Sequence, residues 1–287
     1  MTVRIITADE RMRESLGRTT AAIFGIYGVG KTSLLYTLDP ESTLAFDFEG
    51  GFKSVMTWKG DSIEVRSWQD AIDLACYIGG PDPAEVLWTN NFSKEHYEHC
   101  VGLYGPKSPR PINLAKYKTI FFDSISDLIA AKMKHAQSRN MVMGKNKEMT
   151  LDTRGAYGDV GREGMQFIRH MQHCDKNVIW IGRLEMIIDE FKREIWQPQL
   201  DGQKVARELP GVVDQVITMS FFDYSDAVGW THNPTNGALR AFVCQRRNPW
   251  GLPAKERTMG NLDMIEEPYL GKLIDKINQP AKQLVGG

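Results

Sequence analysis

The chain has no apolar run long enough to cross a bilayer as a helix, no internal repeat and no low-complexity tract. A helical membrane protein, a solenoid and a disordered polypeptide are therefore not expected. Cysteine is sparse: Cys76, Cys100, Cys174 and Cys244 lie far apart, so free thiols are expected rather than a disulfide framework. Neither sign of charge is in excess, since 35 basic against 36 acidic residues leave a net charge of −1. That excludes a globally basic surface for non-specific DNA binding and leaves room only for local basic stripes. The opening residues MTVRIITADERMRESLGR lack the apolar core of a signal peptide. Export is not expected, and the cytoplasm is the expected compartment, that of a host cell if the chain is phage-encoded. What remains is the 42% hydrophobic, 25% charged composition of a soluble globular protein.

The most specific stretch is GIYGVGKT, Gly25 to Thr32, which fits the P-loop pattern of glycine, four residues, glycine, lysine and serine or threonine. Such a loop cradles phosphates. Gly25, Gly28 and Gly30 are expected at positive φ so that successive N–H groups point inward. Lys31 supplies a point charge and Thr32 a hydroxyl for Mg²⁺. Tyr27, Val29 and Ser33 complete the candidate nucleotide-contacting set. Thr19 to Phe24 reads as a buried strand entering the loop and Ser33 to Leu38 as a helix leaving it, stopped at Asp39-Pro40.

The rest of the chain alternates strand and helix, which predicts an α/β fold with a mostly parallel sheet. Predicted strands are Ser42 to Phe48, Ile63 to Trp68, Thr119 to Phe122, Asn177 to Ile181, Val216 to Phe221 and Leu239 to Cys244, the last two paired across a turn near Asn233 to Gly237. Predicted helices are Gln69 to Ile78, Ser126 to Arg139, Asp159 to Cys174, Val205 to Val213 and Tyr269 to Ile277. Periodicity fades over 81–117, which reads as an insertion with one helix over Ser93 to Leu103. Met141 to Asp152 reads as a mobile polar loop and Glu185 to Lys204 as a hairpin or long loop. The organisation is an arm over 1–18 with a helix-like segment at Ala8 to Leu16, a core over 19–265, and a helix and tail over 266–287.

Two carboxylates stand at predicted strand ends. Asp123, closing TIFFD, is placed to hold Mg²⁺ or to cap the following helix. Ser124 beside it is not a base at neutral pH. Glu49, closing AFDFE, is the candidate for activating water, because ligands of parallel sheets bind outside the strands' carboxyl ends; the alternative is a solvated turn carboxylate.

Together GIYGVGKT, AFDFEGG and TIFFDSISDL resemble the RecA-core P-loop ATPases, and within them the phage-type single-strand-annealing or recombination ATPases and AAA-like nucleotide-binding proteins. Glu49 on its own strand, with serine instead of glutamate after Asp123, favours a RecA-type site over a kinase or an ordinary AAA-type site. The resemblance implies a RecA-like core with late antiparallel strands, ATP and Mg²⁺ as cofactors, Lys31 and Thr32 on phosphates and metal, Asp123 in the metal shell and Glu49 on the hydrolytic water. In that family a polar residue, usually glutamine, ends the fourth core strand and senses the γ-phosphate. VIWIGRLE puts Arg183 there, as a charged donor or a salt-bridged surface residue. The run AKER implies that Lys255 and Arg257 reach the nucleotide of a neighbouring subunit; a solvated pair is the alternative.

For DNA the resemblance implies two loops, carrying Lys145 and Lys147 in the first and Lys192, Arg193, Trp196 and Lys204 in the second. Their mix of basic charge and one aromatic suits a single strand. The expected partners are single-stranded DNA, further copies of the chain in a ring or filament, and a single-strand-binding protein, with no membrane. The expected function is ATP-driven assembly on single strands that promotes annealing. A P-loop phosphotransferase and a nucleotide-switched loader or scaffold are the rivals. HYEHC (His96 to Cys100) and HMQHC (His170 to Cys174) repeat one His, His, Cys spacing, which offers zinc ligands on a helix face or is coincidence on half-buried helices.

Overall fold

The computed structural model describes residues 5, 7, 10, 18–143, 148–258 and 260–279. The apolar run TAAIFG forms β1 (Thr20–Gly25), buried along its whole length as a strand covered on both faces must be. β2 (Thr43–Asp47) is buried throughout, and β3 (Asp61–Glu64) is a largely exposed edge strand. Ser67 caps α1 (Trp68–Gly79), its hydroxyl accepting the Asp70 N–H. Ser93 does the same for α2 (Lys94–Tyr104). β4 (Thr119–Asp123) leads through the cap Ser124 into α3 (Ile125–Arg139). β5 (Met141–Met143) and β6 (Met149–Leu151) pair as a small hairpin before α4 (Thr153–Gln172). The long β7 (Asn177–Ile188) turns back as β8 (Glu194–Gln199), and α5 (Gln203–Val212) follows. β9 (Gln215–Ser225), β10 (Gly229–His232), β11 (Leu239–Val243), β12 (Ile265–Glu266) and α6 (Leu270–Ile277) complete the chain.

The main sheet runs β3-β2-β4-β7-β1-β9-β11-β12, parallel as far as β9 and antiparallel beyond it. β7 lies between the P-loop strand and the Asp123 strand. In register, Gly25 faces Arg183, Asp123 faces Ile181, and Asp47 faces Asp123. One sheet edge therefore collects the carboxyl ends of β1, β2, β4 and β7, the edge where parallel sheets bind ligands.

One sheet face is covered by α1, α3, α4 and α5, with Phe46, Phe122 and Trp180 stacked in series at 5.0 and 4.2 Å. The other face packs against Val29, Leu34 and Leu35 of the P-loop region and Leu270, Leu273 and Ile274 of α6. Lys132 of α3 is fully buried, its Nζ 2.6 Å from Glu163 of α4.

Several expectations need correction. The helix expected over Ser33 to Leu38 spans Thr32–Thr37, one residue earlier, as a 3-10 helix that ends before Asp39-Pro40. The expected strand Ile63 to Trp68 ends at Glu64, since Ser67 is drawn into capping α1. The expected mobile loop Met141 to Asp152 contains the β5–β6 hairpin, and Asp152 caps α4. Glu185 to Lys204 is a hairpin only as far as Gln199, and Lys204 lies on α5. The insertion is packed onto the helical face: Phe92 and Cys100 are fully buried. The Ala8 to Leu16 helix falls almost wholly outside the described residues.

Candidate active site

β1 delivers the chain into the loop and Gly28 and Gly30 take φ of 76° and 89°, as the cradle requires. Gly25 does not: it closes the strand, and its role is steric. A Cβ there would lie 2.7 Å from the Met219 carbonyl oxygen and 2.8 Å from Val29 Cγ1. Val29 is buried in the core, so only its backbone faces a ligand, while Tyr27 stands exposed at the loop tip. Lys31 Nζ donates to the carbonyls of Gly25 and Ile26, both at 2.9 Å, which holds the ammonium across the loop. Burial lowers the Lys31 pKa, and the negative charges of Asp123 and Glu49 oppose that shift.

The Thr32 hydroxyl donates to Asp123 Oδ2 at 2.5 Å. Asp123 is 4% exposed, and burial pushes its carboxyl up to about 6, with Glu49 and Asp47 adding to the rise and Lys31 and the Thr32 hydrogen bond opposing it. A buried carboxylate paired with a hydroxyl is the oxygen donor set that a hard divalent cation completes, so Thr32 and Asp123 fit Mg²⁺.

Glu49 is exposed, one turn beyond the end of β2, and the reason it stands there is Asp47. Asp47 Oδ1 accepts the N–H groups of Glu49, Gly50 and Gly51 at 3.2, 2.7 and 3.2 Å, and Oδ2 accepts that of Phe52 at 3.3 Å. One buried carboxylate therefore folds the FEGG turn and aims Glu49 outward. The only sequence signal for this role of Asp47 is an aspartate three residues before a Gly-Gly pair, a turn signal. Arg183 reaches the same edge from β7. Its Nη2 meets Asp127 at 3.2 Å, its Nε is buried without an acceptor among the described residues, and it lowers the Lys31 pKa. The arginine is thus salt-bridged to Asp127 and close enough to Lys31 for its charge to act there.

Arg240 on β11 is the second residue the sequence concealed. Its Nη1 would lie 2.3 Å from a Cβ built on Gly30, so the guanidinium rests on the P-loop itself. No sequence signal marks it, because only the sheet order brings β11 to the loop.

Other expected residues lie elsewhere. Lys255 donates to the carbonyls of Pro210 and Val213 at 2.5 and 2.6 Å, and Arg257 to that of Gly211 at 2.8 Å and to Asp214 at 3.4 Å. Both neutralise the carboxyl end of α5, as cations at a helix C-terminus do. Lys255 also bridges Val216, which pairs with Ala22 in the opening half of β1, so within one chain the two residues are apart from the P-loop.

Lys145 and Lys147 lie outside the described residues. In the β7–β8 turn Lys192 takes φ of 59°, and Arg193 is tied to Asp189 at 2.7 Å while resting 5.1 Å above the ring of Phe191. Trp196 is half-buried and meets His232 edge-on at 5.7 Å, so the aromatic at the tip is Phe191. Lys204 faces Glu208 along α5 at 3.9 Å.

The two His-His-Cys motifs meet around Phe92. His96 Nδ1 accepts the Phe92 N–H at 3.0 Å and its Nε2 lies 2.9 Å from Asp73, while the ring of His170 stacks on Phe92 at 3.9 Å. Burial pushes His170 down to about 4. Donor atoms of Cys76, His96 and Cys100 lie within 4.8 Å of one another, yet both His96 nitrogens already have partners. The motifs clamp the insertion to the core.

Among known families, a model described as an AAA domain matches residues 18–258, most of the chain. None of the curated proteins matches it.

Proposed function

The chain belongs to this AAA-domain family and carries its P-loop nucleotide-binding core; we propose that it is a RecA-like, Mg²⁺-dependent ATPase that assembles on single-stranded DNA and promotes annealing or strand pairing. The observation that carries the catalytic half is the convergence of Lys31, Thr32, Asp123, Glu49 and Arg183 on the carboxyl ends of β1, β4, β2 and β7. Mg²⁺, when bound, supplies charge that neutralises the terminal phosphates. The loop amides and Lys31 hold the phosphate chain. Glu49 orients and deprotonates water from a turn that Asp47 keeps in place. Arg183 offers a further charged donor to the γ-phosphate.

The DNA half is supported by the two hairpins. β5–β6 exposes Met141, Val142, Met143, Met149 and Leu151, and β7–β8 exposes Met186, Ile188, Phe191 and Ile195 beside Lys192. Apolar side chains left exposed on projecting hairpins suit contact with bases or with the next copy in an assembly.

The test measures ATP turnover with and without single-stranded DNA and images the protein in the electron microscope. Rings or filaments with ATP and DNA, turnover lost in Glu49→Gln with binding kept, and binding lost in Lys31→Ala are expected. Wild-type turnover in Glu49→Gln sinks the catalytic assignment. Turnover indifferent to DNA, with no DNA bound by the ATP-loaded protein, sinks the DNA half.

A further inference from the structure

We propose that Arg240 is a phosphate-contacting residue: β11 lays its guanidinium across the P-loop from within the same chain, where it holds the polyphosphate of a bound nucleoside triphosphate. The inference rests on the nucleotide-binding reading above and adds to it a residue from the antiparallel half of the sheet.

Strand register places it. Arg240 pairs with Phe221 on β9, and Gly25, the last residue of β1, pairs with Met219. Arg240 thus stands two positions beyond the end of β1, on the side toward which the P-loop leaves the sheet. β11 is two strands from β1, roughly 10 Å at about 4.8 Å per strand, a gap that an extended arginine side chain spans most of.

Side-chain alternation aims it. Phe242, two residues on, is buried in the core that contains Val29, Leu34 and Leu35, whereas Ala241 belongs to the opposite core. Arg240 therefore emerges on the P-loop face. Its contact is with Gly30, whose φ of 89° favours glycine and at which a Cβ would lie 2.3 Å from Nη1.

Charge argues for a ligand there. Arg240 is exposed, and no carboxylate among the described residues forms an ion pair with it, unlike Arg183, Arg193 and Arg257. It sits instead over a loop whose own ammonium, Lys31, is held on the carbonyls of Gly25 and Ile26. A guanidinium and an ammonium therefore border one glycine-rich loop, and an anion with several oxygens offers acceptors to both. Guanidinium matches phosphate oxygens through paired donors, and a side chain that packs into no core is free to close on them.

The experiment measures ATP and ADP affinity by titration calorimetry, without turnover, in the wild type, Lys31→Ala, Arg240→Ala, Arg240→Gln and Arg240→Lys. Urea midpoints check that each variant is folded. A tenfold or greater loss of ATP affinity in both Arg240→Ala and Arg240→Gln is expected, with Arg240→Lys between them and the wild type and with urea midpoints unchanged. Loss for ATP alone places the contact at the γ-phosphate, and loss for both nucleotides places it nearer the β-phosphate. If the wild type binds and Lys31→Ala does not, while Arg240→Ala and Arg240→Gln bind within twofold of the wild type, the Arg240 proposal is overturned and the nucleotide reading stands. If the wild type binds no nucleotide, both fall together.

Discussion

Replacing Asp47 separates the geometry of the turn that carries Glu49 from the rest of the site. Its carboxylate is the common acceptor of four backbone N–H groups, three on Oδ1 and one on Oδ2. Asp47→Asn keeps one oxygen, which retains weaker neutral bonds to Glu49, Gly50 and Gly51, but turns an NH₂ group toward the Phe52 N–H. One lost acceptor and the change from charged to neutral bonds cost about 1–2 kcal/mol. Asp47→Ala removes all four acceptors; only the 2.7 Å bond to Gly50 is short, and water replaces part of the rest, so the loss is about 2–3 kcal/mol. The larger consequence is positional. A shift of the turn by ~1 Å moves Glu49 out of line with the phosphates and lowers kcat on the order of 100-fold. The hydrogen bonds of Lys31 and of the Thr32–Asp123 pair do not involve Asp47, so the KM for ATP changes little. Steady-state kinetics beside urea unfolding measures both effects. A kcat near wild type in Asp47→Ala, with the stability loss present, refutes the positioning argument and leaves Asp47 a purely structural residue.

Three further outcomes are expected. Asp123, raised in the folded protein from 3.8 to about 6, favours the fold when protonated, so this contribution is fully present below about pH 4 and is lost as pH rises through 6. The difference is roughly 3 kcal/mol at about 1.4 kcal/mol per unit, in protein free of metal and nucleotide; a wild-type stability curve parallel to that of Asp123→Asn between pH 4 and 7 contradicts it. Lys132→Ala leaves Glu163 only the 3.6 Å contact with Arg162 and empties a fully buried position, and is expected to cost about 3 kcal/mol, whereas Lys132→Met with Glu163→Gln loses far less; equal urea midpoints for the two variants count against the buried ion pair. Gly25→Ala, forced against the Met219 carbonyl and Val29, is expected to destabilise by about 1–3 kcal/mol and to weaken nucleotide binding together, which thermal melts with and without ATP detect.

The nucleotide site was legible because its parts are short and local. A glycine-rich loop between an apolar strand and a helical turn has one chemical use, and apolar runs ending in Asp123 and near Glu49 announce strand ends. Gly25 to Thr32, Asp123 and Arg183 all stand on the sheet edge where their strands predicted them. The helix after the P-loop was legible, but its 3-10 form was not, because periodicity over so few residues does not distinguish a 3-10 from an α-helix. The strands within Met141 to Asp152 carry no sequence signal because Met141–Met143 and Met149–Leu151 pair as exposed strands, with no buried alternation to recognise. Lys255 and Arg257 looked like free cations because carbonyl groups at a helix end leave no trace in side-chain chemistry.

The sequence by itself determined the α/β class, the phosphate loop and the two strand-end acids, since backbone conformation and burial of each follow from neighbouring residues. Only the tertiary structure decided which strands are neighbours. Sheet order sets β7 between β1 and β4 and so joins Arg183 to the loop; it sets β11 beyond β9 and so lays Arg240 over Gly30. Strand order follows from how whole helices cover the two faces of the sheet, a property of the packed chain that no single stretch encodes.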